Sequence, residues 1–214
     1  MMHEVASLLT RASHNPEKNY RQILSQERAW ARSVAASAIK KRPFTVWEVM
    51  IPVLLIISFT KTKGDREVFV KNLVFTKELA LKAALEIAET GKTKREAMIP
   101  IRETTRELLT TVDPSLYSED IRQCQMQEMD LLVDHYSRLL KVDGEDFPAL
   151  IKAAYPDRKQ YLAFLKRLGD IERQVNGAAL KTLGPRGDRA LVSRMEKAMK
   201  GLRMASAERI FGAD

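Results

Sequence analysis

The sequence predicts an all-α protein: a helical domain with a kinked apolar helical hairpin near the N-terminus and a basic C-terminal helix. Long stretches rich in Ala, Leu, Lys, Glu, Arg and Met favour helices. Nine Gly and eight Pro among 214 residues provide little of the turn chemistry that a β-protein of this length would need. Apolar side chains also recur at helical spacing, most clearly between residues 66 and 89.

Four regions follow from the patterns of charge and hydropathy. They are a basic N-terminal helical region (1–42), an apolar membrane-associating helical hairpin (43–90), a helical domain (91–183) and a basic amphipathic C-terminal helix (184–214). In the first region a helix is expected to begin near Asn15, which precedes Pro16. The sequence KKRP ends it, because the residue before a proline is disfavoured in the α conformation.

The remaining helices are bounded by glycine and proline. The apolar stripe of 66–89 ends at Gly91, and the next predicted helix is split at Pro100. Further helices are expected at 118–140, 146–154, 157–183 and 189–211. The 66–89 helix has two possible positions: it lies in a membrane interface, or it packs on the helices of 118–183 as part of the core.

The segment from Val46 to Phe59 is the most unusual part of the chain, because Glu48 is its only charged residue. It is shorter than the roughly 20 residues that a straight membrane span needs. That length also suits a helix buried in the core or in a protein–protein interface. Apolar side chains nevertheless occupy every face of the predicted helix, so it has no polar side. Pro52 favours a kink, and basic residues flank both ends of the segment.

A hairpin that dips into one leaflet and returns explains the short length, the central proline and the two basic flanks together. The residues predicted to contact the membrane are Trp47, Val49, Met50, Ile51, Pro52, Leu54, Leu55, Ile56, Ile57 and Phe59. Those predicted to contact anionic lipid are Lys40, Lys41, Arg42, Lys61 and Lys63.

No catalytic residue, metal site or cofactor is predicted. The TGKTK sequence resembles the end of a phosphate-binding loop, but Glu86 occupies the position of the required earlier glycine. His135 has Glu128 two turns earlier, without the repeated Glu-x-x-His pairs of a helical metal cage, and is interpreted as structural. Cys124, the single cysteine, is interpreted as a small buried side chain and indicates a reducing cytoplasm.

These patterns favour a non-enzymatic, membrane-associated helical adaptor or scaffold on the cytoplasmic face of a membrane, in particular the bacterial inner membrane. Its partners would be an anionic membrane surface and a protein or a second copy of the chain. The alternative is a cytoplasmic nucleic-acid-binding or regulatory protein that buries 44–59 in an oligomer interface. The net charge of +8 suits either, although basic residues interleaved with Glu and Asp are typical of a solvated face. An enzyme of unrecognised type is a third possibility.

Overall fold

A computed structural model describes residues 15–38 and 65–212, and this part of the chain is all-α, as predicted. Its α-helices are α1 (Pro16–Ala38), α2 (Asp65–Thr90), α3 (Lys94–Ala97), α4 (Ile99–Thr111), α5 (Glu119–Leu140), α6 (Phe147–Ala154), α7 (Arg158–Leu183) and α8 (Arg189–Phe211). A single 3₁₀ turn, Gly184–Arg186, follows α7. The predicted kinked segment of 43–64 lies outside the described residues.

Side-chain caps set the starts of the later helices. Ser118, Asp146, Asp157 and Asp188 each accept a hydrogen bond from the backbone N–H three residues further on. These bonds satisfy donors that the first helical turn leaves unpaired. Each of these residues directly precedes its helix, so the local sequence accounts for the boundary.

Glycine and proline act as the sequence predicts at the junction of α2 and α4. Gly91 has a φ of 71° and ends α2 in the left-handed region that glycine adopts without steric cost. Thr93 and Glu96 then form a reciprocal capping box for the short α3. Pro100 lies in the first turn of α4, where its missing N–H leaves no helical bond unmade.

The main core forms where α1, α2, α5, α6, α7 and α8 meet. Fully buried apolar side chains contributed by these helices include Ile23, Phe69, Leu81, Leu132, Leu150 and Tyr161. Helix α2 packs along α5 and α1, so the core alternative for the 66–89 helix is what the structure has. A second, smaller core joins α4 and the following loop to α5 and α7 through Leu108, Tyr117, Ile121 and Ala179.

Candidate functional site

Five ionisable side chains meet inside the bundle, each from a different helix. They are Glu27 of α1, Lys77 of α2, Glu128 of α5, Glu172 of α7 and Arg203 of α8, and we call them the buried ion cluster. Four of them are buried, whereas the side chain of Glu172 is 20% exposed. Lys77 is 5% exposed and Arg203 is 4% exposed. Charged side chains are rarely buried this deeply unless they are paired.

Hydrogen bonds connect four of the five members. Arg203 donates to both carboxylate oxygens of Glu172, at 2.5 and 2.8 Å. Lys77 Nζ lies 3.1 Å from Glu172 Oε1 and 3.4 Å from Glu128 Oε1. The Thr76 hydroxyl donates to the same oxygen of Glu128 at 3.2 Å. The two cations therefore hold two carboxylates in place across four helices.

Glu27 is tied to the cluster by charge rather than by a direct ion pair. Its Oε1 accepts a hydrogen bond from the Tyr136 hydroxyl at 3.0 Å. Its Oε2 is buried without a hydrogen-bond partner among the described residues. Burial raises the pKa of Glu27, although Lys77 and Arg203 act in the opposite direction.

The pKa directions give the charge state of the cluster. Burial opposes ionisation of Glu172, but Arg203 and Lys77 outweigh it and lower its pKa to about 2. Burial raises the pKa of Glu128 in spite of Lys77. Burial also opposes the charge on Lys77, but Glu172 and Glu128 outweigh it and raise the pKa of the ammonium. Three carboxyls face two cations, and burial favours the protonated form of both Glu27 and Glu128, so one proton on either carboxyl brings the cluster to neutrality.

This charge state limits the chemistry of the cluster. Lys77 is held as an ammonium ion, and an ammonium ion is neither a nucleophile nor a general base. Glu172 is held as a carboxylate by a bidentate arginine. The cluster therefore supplies fixed charges and hydrogen-bond donors, which suits binding rather than covalent catalysis.

A cavity of about 750 Å³ lies directly against the buried ion cluster, between α2, α7 and α8. Lys77, Glu128, Glu172 and Arg203 line its floor. Its apolar walls include Leu73 of α2, Leu165 of α7, and Met195 and Met199 of α8. The exposed lysines Lys166, Lys197 and Lys200 belong to its rim. Its volume falls within the range of cavities that bind small molecules.

Asn72 of α2 contributes a polar side chain to the wall of this cavity. The residue lines the cavity and is 6% exposed. Its Nδ2 is buried without a hydrogen-bond partner among the described residues. Because a water-sized molecule cannot reach that atom, the donor lies behind the cavity surface rather than on it.

His135 and Cys124, which the sequence interpretation treated as structural, lie apart from the cavity lining. His135 Nδ1 lies 2.6 Å from the Tyr155 hydroxyl, and its ring stacks on Phe164. Burial, with Arg203 and Arg138, lowers the pKa of His135 to about 3, so the ring is neutral. Burial and Asp120 raise the pKa of the half-buried Cys124 thiol. Within the described ranges, no group of three or more His, Cys, Asp or Glu side chains could hold a metal ion.

A second feature concerns the two ends of the undescribed segment 39–64. Arg28 of α1 pairs with Glu78 of α2 at 3.6 Å. Two turns further along α1, Ala35 lines the same groove as Arg66 and Val70 of α2. Residue numbers thus rise along α1 as they fall along α2, so the helices are antiparallel. The last residue of α1 and the first residue of α2 consequently lie at the same end of the bundle. We call this the loop end.

Basic side chains collect at the loop end. The Arg194 guanidinium of α8 donates through Nε to the carbonyl of Ala38 at 3.1 Å and so caps the C-terminus of α1. Arg32 and Arg66 are exposed and line one groove between α1 and α2. Among the described residues that line this groove, two carry a carboxylate, Glu67 and Glu78. Glu67 pairs with Lys71.

The structure describes none of the site residues that the sequence predicts. They are the membrane-contacting set within Trp47–Phe59 and the lipid-contacting set Lys40–Arg42, Lys61 and Lys63. Those predictions therefore stay predictions. Within the described ranges, no helix is both long and apolar enough to cross a bilayer.

The sequence interpretation missed the buried ion cluster and the cavity. One signal was available: Lys77 interrupts an apolar stripe formed by Val74, Leu81 and Ala84, and Glu27 likewise lies between Ile23 and Trp30. A charge on the apolar face of a helix indicates a buried partner, but one sequence does not say which helix supplies it.

Comparison with protein-family models, with curated proteins and with solved structures gives no match to this chain.

Proposed function

We propose that this chain is a non-enzymatic, membrane-associated helical protein with an adaptor or scaffold role. In this proposal the helical bundle lies on the cytoplasmic face of the membrane, and the apolar segment 44–59 dips into the bilayer and returns. The observation that carries it is the antiparallel arrangement of α1 and α2. A segment that leaves Ala38 and rejoins the bundle at Asp65 has both of its ends at the loop end.

This arrangement matters because it separates two kinds of membrane segment. A single crossing would leave its two ends on opposite faces of a bilayer about 30 Å thick. Ends that lie side by side are what a re-entrant segment requires. The short apolar length, the central Pro52 and the basic residues on both flanks support the same topology.

Charge at the loop end also supports the proposal. Arg32, Arg66 and Arg194 belong to the described helices at this end. Lys40, Lys41 and Lys63 lie close to them in sequence. Basic residues near an anionic membrane surface each contribute about 1 kcal/mol to binding. The bundle would therefore meet the membrane with its loop end.

Deletion of residues 44–59 tests this proposal. The deletion leaves ten residues between Ala38 and Asp65, enough to connect two antiparallel helices whose ends are adjacent. The full chain should float with anionic phospholipid vesicles in a sucrose gradient, and the deletion variant should stay at the bottom. Circular dichroism and a cooperative unfolding transition would establish that the variant is folded. A folded deletion variant that still floats would contradict the proposal.

A groove lined by arginines favours a second candidate, the binding of nucleic acid. Arg102, Arg106, Arg122 and Arg167 share a groove between α4, α5 and α7. Arg122 is already paired with Glu119, at 2.7 Å, which leaves three guanidinium groups for phosphate. The triple variant Arg102→Ala, Arg106→Ala and Arg167→Ala should lose binding to duplex DNA in a gel-shift assay at physiological salt. If the unmodified chain gives no shift, this candidate fails.

A further inference from the structure

The walls of the interhelical cavity select a ligand with an apolar body. Leu73, Leu165, Met195 and Met199 contribute apolar surface to a volume of about 750 Å³. Apolar walls of this extent make many dispersion contacts with the apolar part of a bound molecule. Methionine side chains are flexible and adapt to ligands of different shape.

The rim of the cavity selects an acid. Lys166, Arg173, Lys197 and Lys200 carry positive charge there, against Asp170 and Glu196. Arg173 is occupied by an ion pair with Asp170. No ion pair is recorded for the three lysines with any carboxylate of the described residues. The rim therefore presents an excess of two positive charges, which favours a carboxylate or a similar anion.

The floor of the cavity excludes a second anion. Its carboxylates, Glu128 and Glu172, already use the ammonium of Lys77, and the guanidinium of Arg203 is bound to Glu172. A second anion at this depth would face those carboxylates without a free counter-charge. The acidic group of a ligand is therefore expected at the rim.

We propose that this cavity is a binding site for a small amphipathic acid. The acidic group binds at the lysine rim, and the apolar body lies between α7 and α8. The site consists of described residues of α2, α5, α7 and α8, whereas the proposed membrane contact is made by residues 44–59, so different variants test the two proposals.

Two glycines of α7 provide a matched pair for locating the site. Gly169 lines the cavity, and a Cβ built on it meets no atom within 4 Å. Gly177 is exposed on the same helix, does not line the cavity and is equally unobstructed. Gly169→Leu should place a branched side chain inside the cavity and obstruct it, whereas Gly177→Leu changes helix propensity in the same way without entering the cavity.

Anilinonaphthalene sulfonate, a fluorescent amphipathic acid, is the reporter. The full chain should give a saturable fluorescence increase that Gly169→Leu abolishes and Gly177→Leu retains. Equal fluorescence from both variants would place the dye elsewhere on the molecule and overturn the site. Absence of saturable binding to the full chain would overturn it as well.

Competition by alkyl chains of one length then tests the charge preference. Below their micelle concentrations, dodecanoate should displace the dye at least about tenfold more effectively than dodecyltrimethylammonium. The rim variant Lys197→Glu with Lys200→Glu should remove that preference, while Lys159→Glu, an exposed lysine outside the rim, should retain it. Better displacement by the cation would contradict an acid site.

Discussion

The guanidinium of Arg203 donates one hydrogen bond to each carboxylate oxygen of Glu172, at 2.5 and 2.8 Å, and so joins α8 to α7 inside the core. Lys77 completes the contact from α2, 3.1 Å from the same carboxylate. Such bidentate pairs are among the stronger hydrogen bonds of proteins, because the two planar groups match in shape and in charge. The pair forms the floor of the cavity, so its integrity determines whether the proposed binding site exists.

Loss of one partner of this pair should destabilise the protein far more than loss of both. Arg203→Met leaves Glu172 buried with Lys77 as its remaining cation, and we expect a cost of about 3–5 kcal/mol in the free energy of unfolding. The double variant Arg203→Met with Glu172→Met removes both charges and should recover most of that loss. Urea unfolding measures the free energy of unfolding of the single and the double variant.

A matched control for this cycle is Arg21→Met. Arg21 pairs with Glu17 at 3.4 Å on the exposed side of α1, with 76% and 45% of the two side chains exposed. Exposed pairs of this kind contribute little to stability. If Arg203→Met cost no more than Arg21→Met, the ion cluster would not stabilise the core as described.

His135 should make the protein less stable as the pH falls. Burial, with Arg203 and Arg138, lowers its pKa in the folded state from 6.5 to about 3. Below pH 6.5 the unfolded chain therefore binds a proton at His135, whereas the folded protein binds it only near pH 3. The contribution of His135 to the free energy of unfolding is thus complete above pH 6.5 and declines towards pH 3. Between pH 6.5 and 4 we expect a loss of roughly 3 kcal/mol.

The variant His135→Gln isolates this effect. It loses the contacts with Tyr155 and Phe164, so it should be less stable than the native sequence at pH 7. Its urea midpoint should nevertheless fall less steeply between pH 6.5 and 4. The buried Glu27 and Glu128 titrate in both proteins and cancel in the comparison. Parallel pH profiles for the two proteins would show that His135 is not buried in its neutral form.

Charge reversal at Lys40, Lys41 and Arg42 should weaken binding to anionic vesicles. Each basic residue contributes about 1 kcal/mol near such a surface, and salt screens the effect within a Debye length. Co-sedimentation with vesicles of increasing phosphatidylserine content measures the change. The control reverses three exposed lysines outside the loop end, Lys141, Lys152 and Lys159. Equal binding of the native chain to neutral and anionic vesicles would rule out an electrostatic role for this flank.

The sequence was sufficient wherever a boundary depends on local chemistry. Asp146, Asp157 and Asp188 cap the helices that follow them, and Gly91 ends α2 with a positive φ. These effects involve neighbours within a few residues, so the sequence pattern contains the information. The stripe of α2 similarly predicts its buried face, including Phe69, Ala80 and Ala84.

The cavity and its floor could not be predicted in this way. Glu27 and Arg203 are far apart in sequence, and each looks like one more charge on a charged helix. Only the packing of five helices brings them together. The same holds for Lys77, whose partners Glu128 and Glu172 lie on α5 and α7. The antiparallel arrangement of α1 and α2 is likewise a property of their packing, in which Arg28 pairs with Glu78.

If the segment 44–59 is re-entrant as proposed, replacement of Pro52 by Leu should convert it into a spanning segment. A proline inside a helix removes one hydrogen bond, which by sequence position would be the bond to the carbonyl of Glu48, and costs roughly 3 kcal/mol relative to a good helix former. Pro52→Leu restores the bond and favours a straight helix, and local thinning of the bilayer absorbs its short length. Cysteine labels on the two flanks of the segment should then lie on opposite faces. A straightened variant with both labels on one face would mean that Pro52 does not set the bend.

The most direct test of the proposed membrane topology labels both flanks of the segment with Pro52 in place. Lys40→Cys and Lys63→Cys are introduced one at a time in a Cys124→Ser background, which removes the single native thiol. Sealed inside-out vesicles are then treated with a membrane-impermeant maleimide, with lysed vesicles as the control for total reactivity. The antiparallel arrangement of α1 and α2 predicts that both positions react in sealed vesicles. Reaction at only one of the two positions would establish a membrane span and contradict the re-entrant topology.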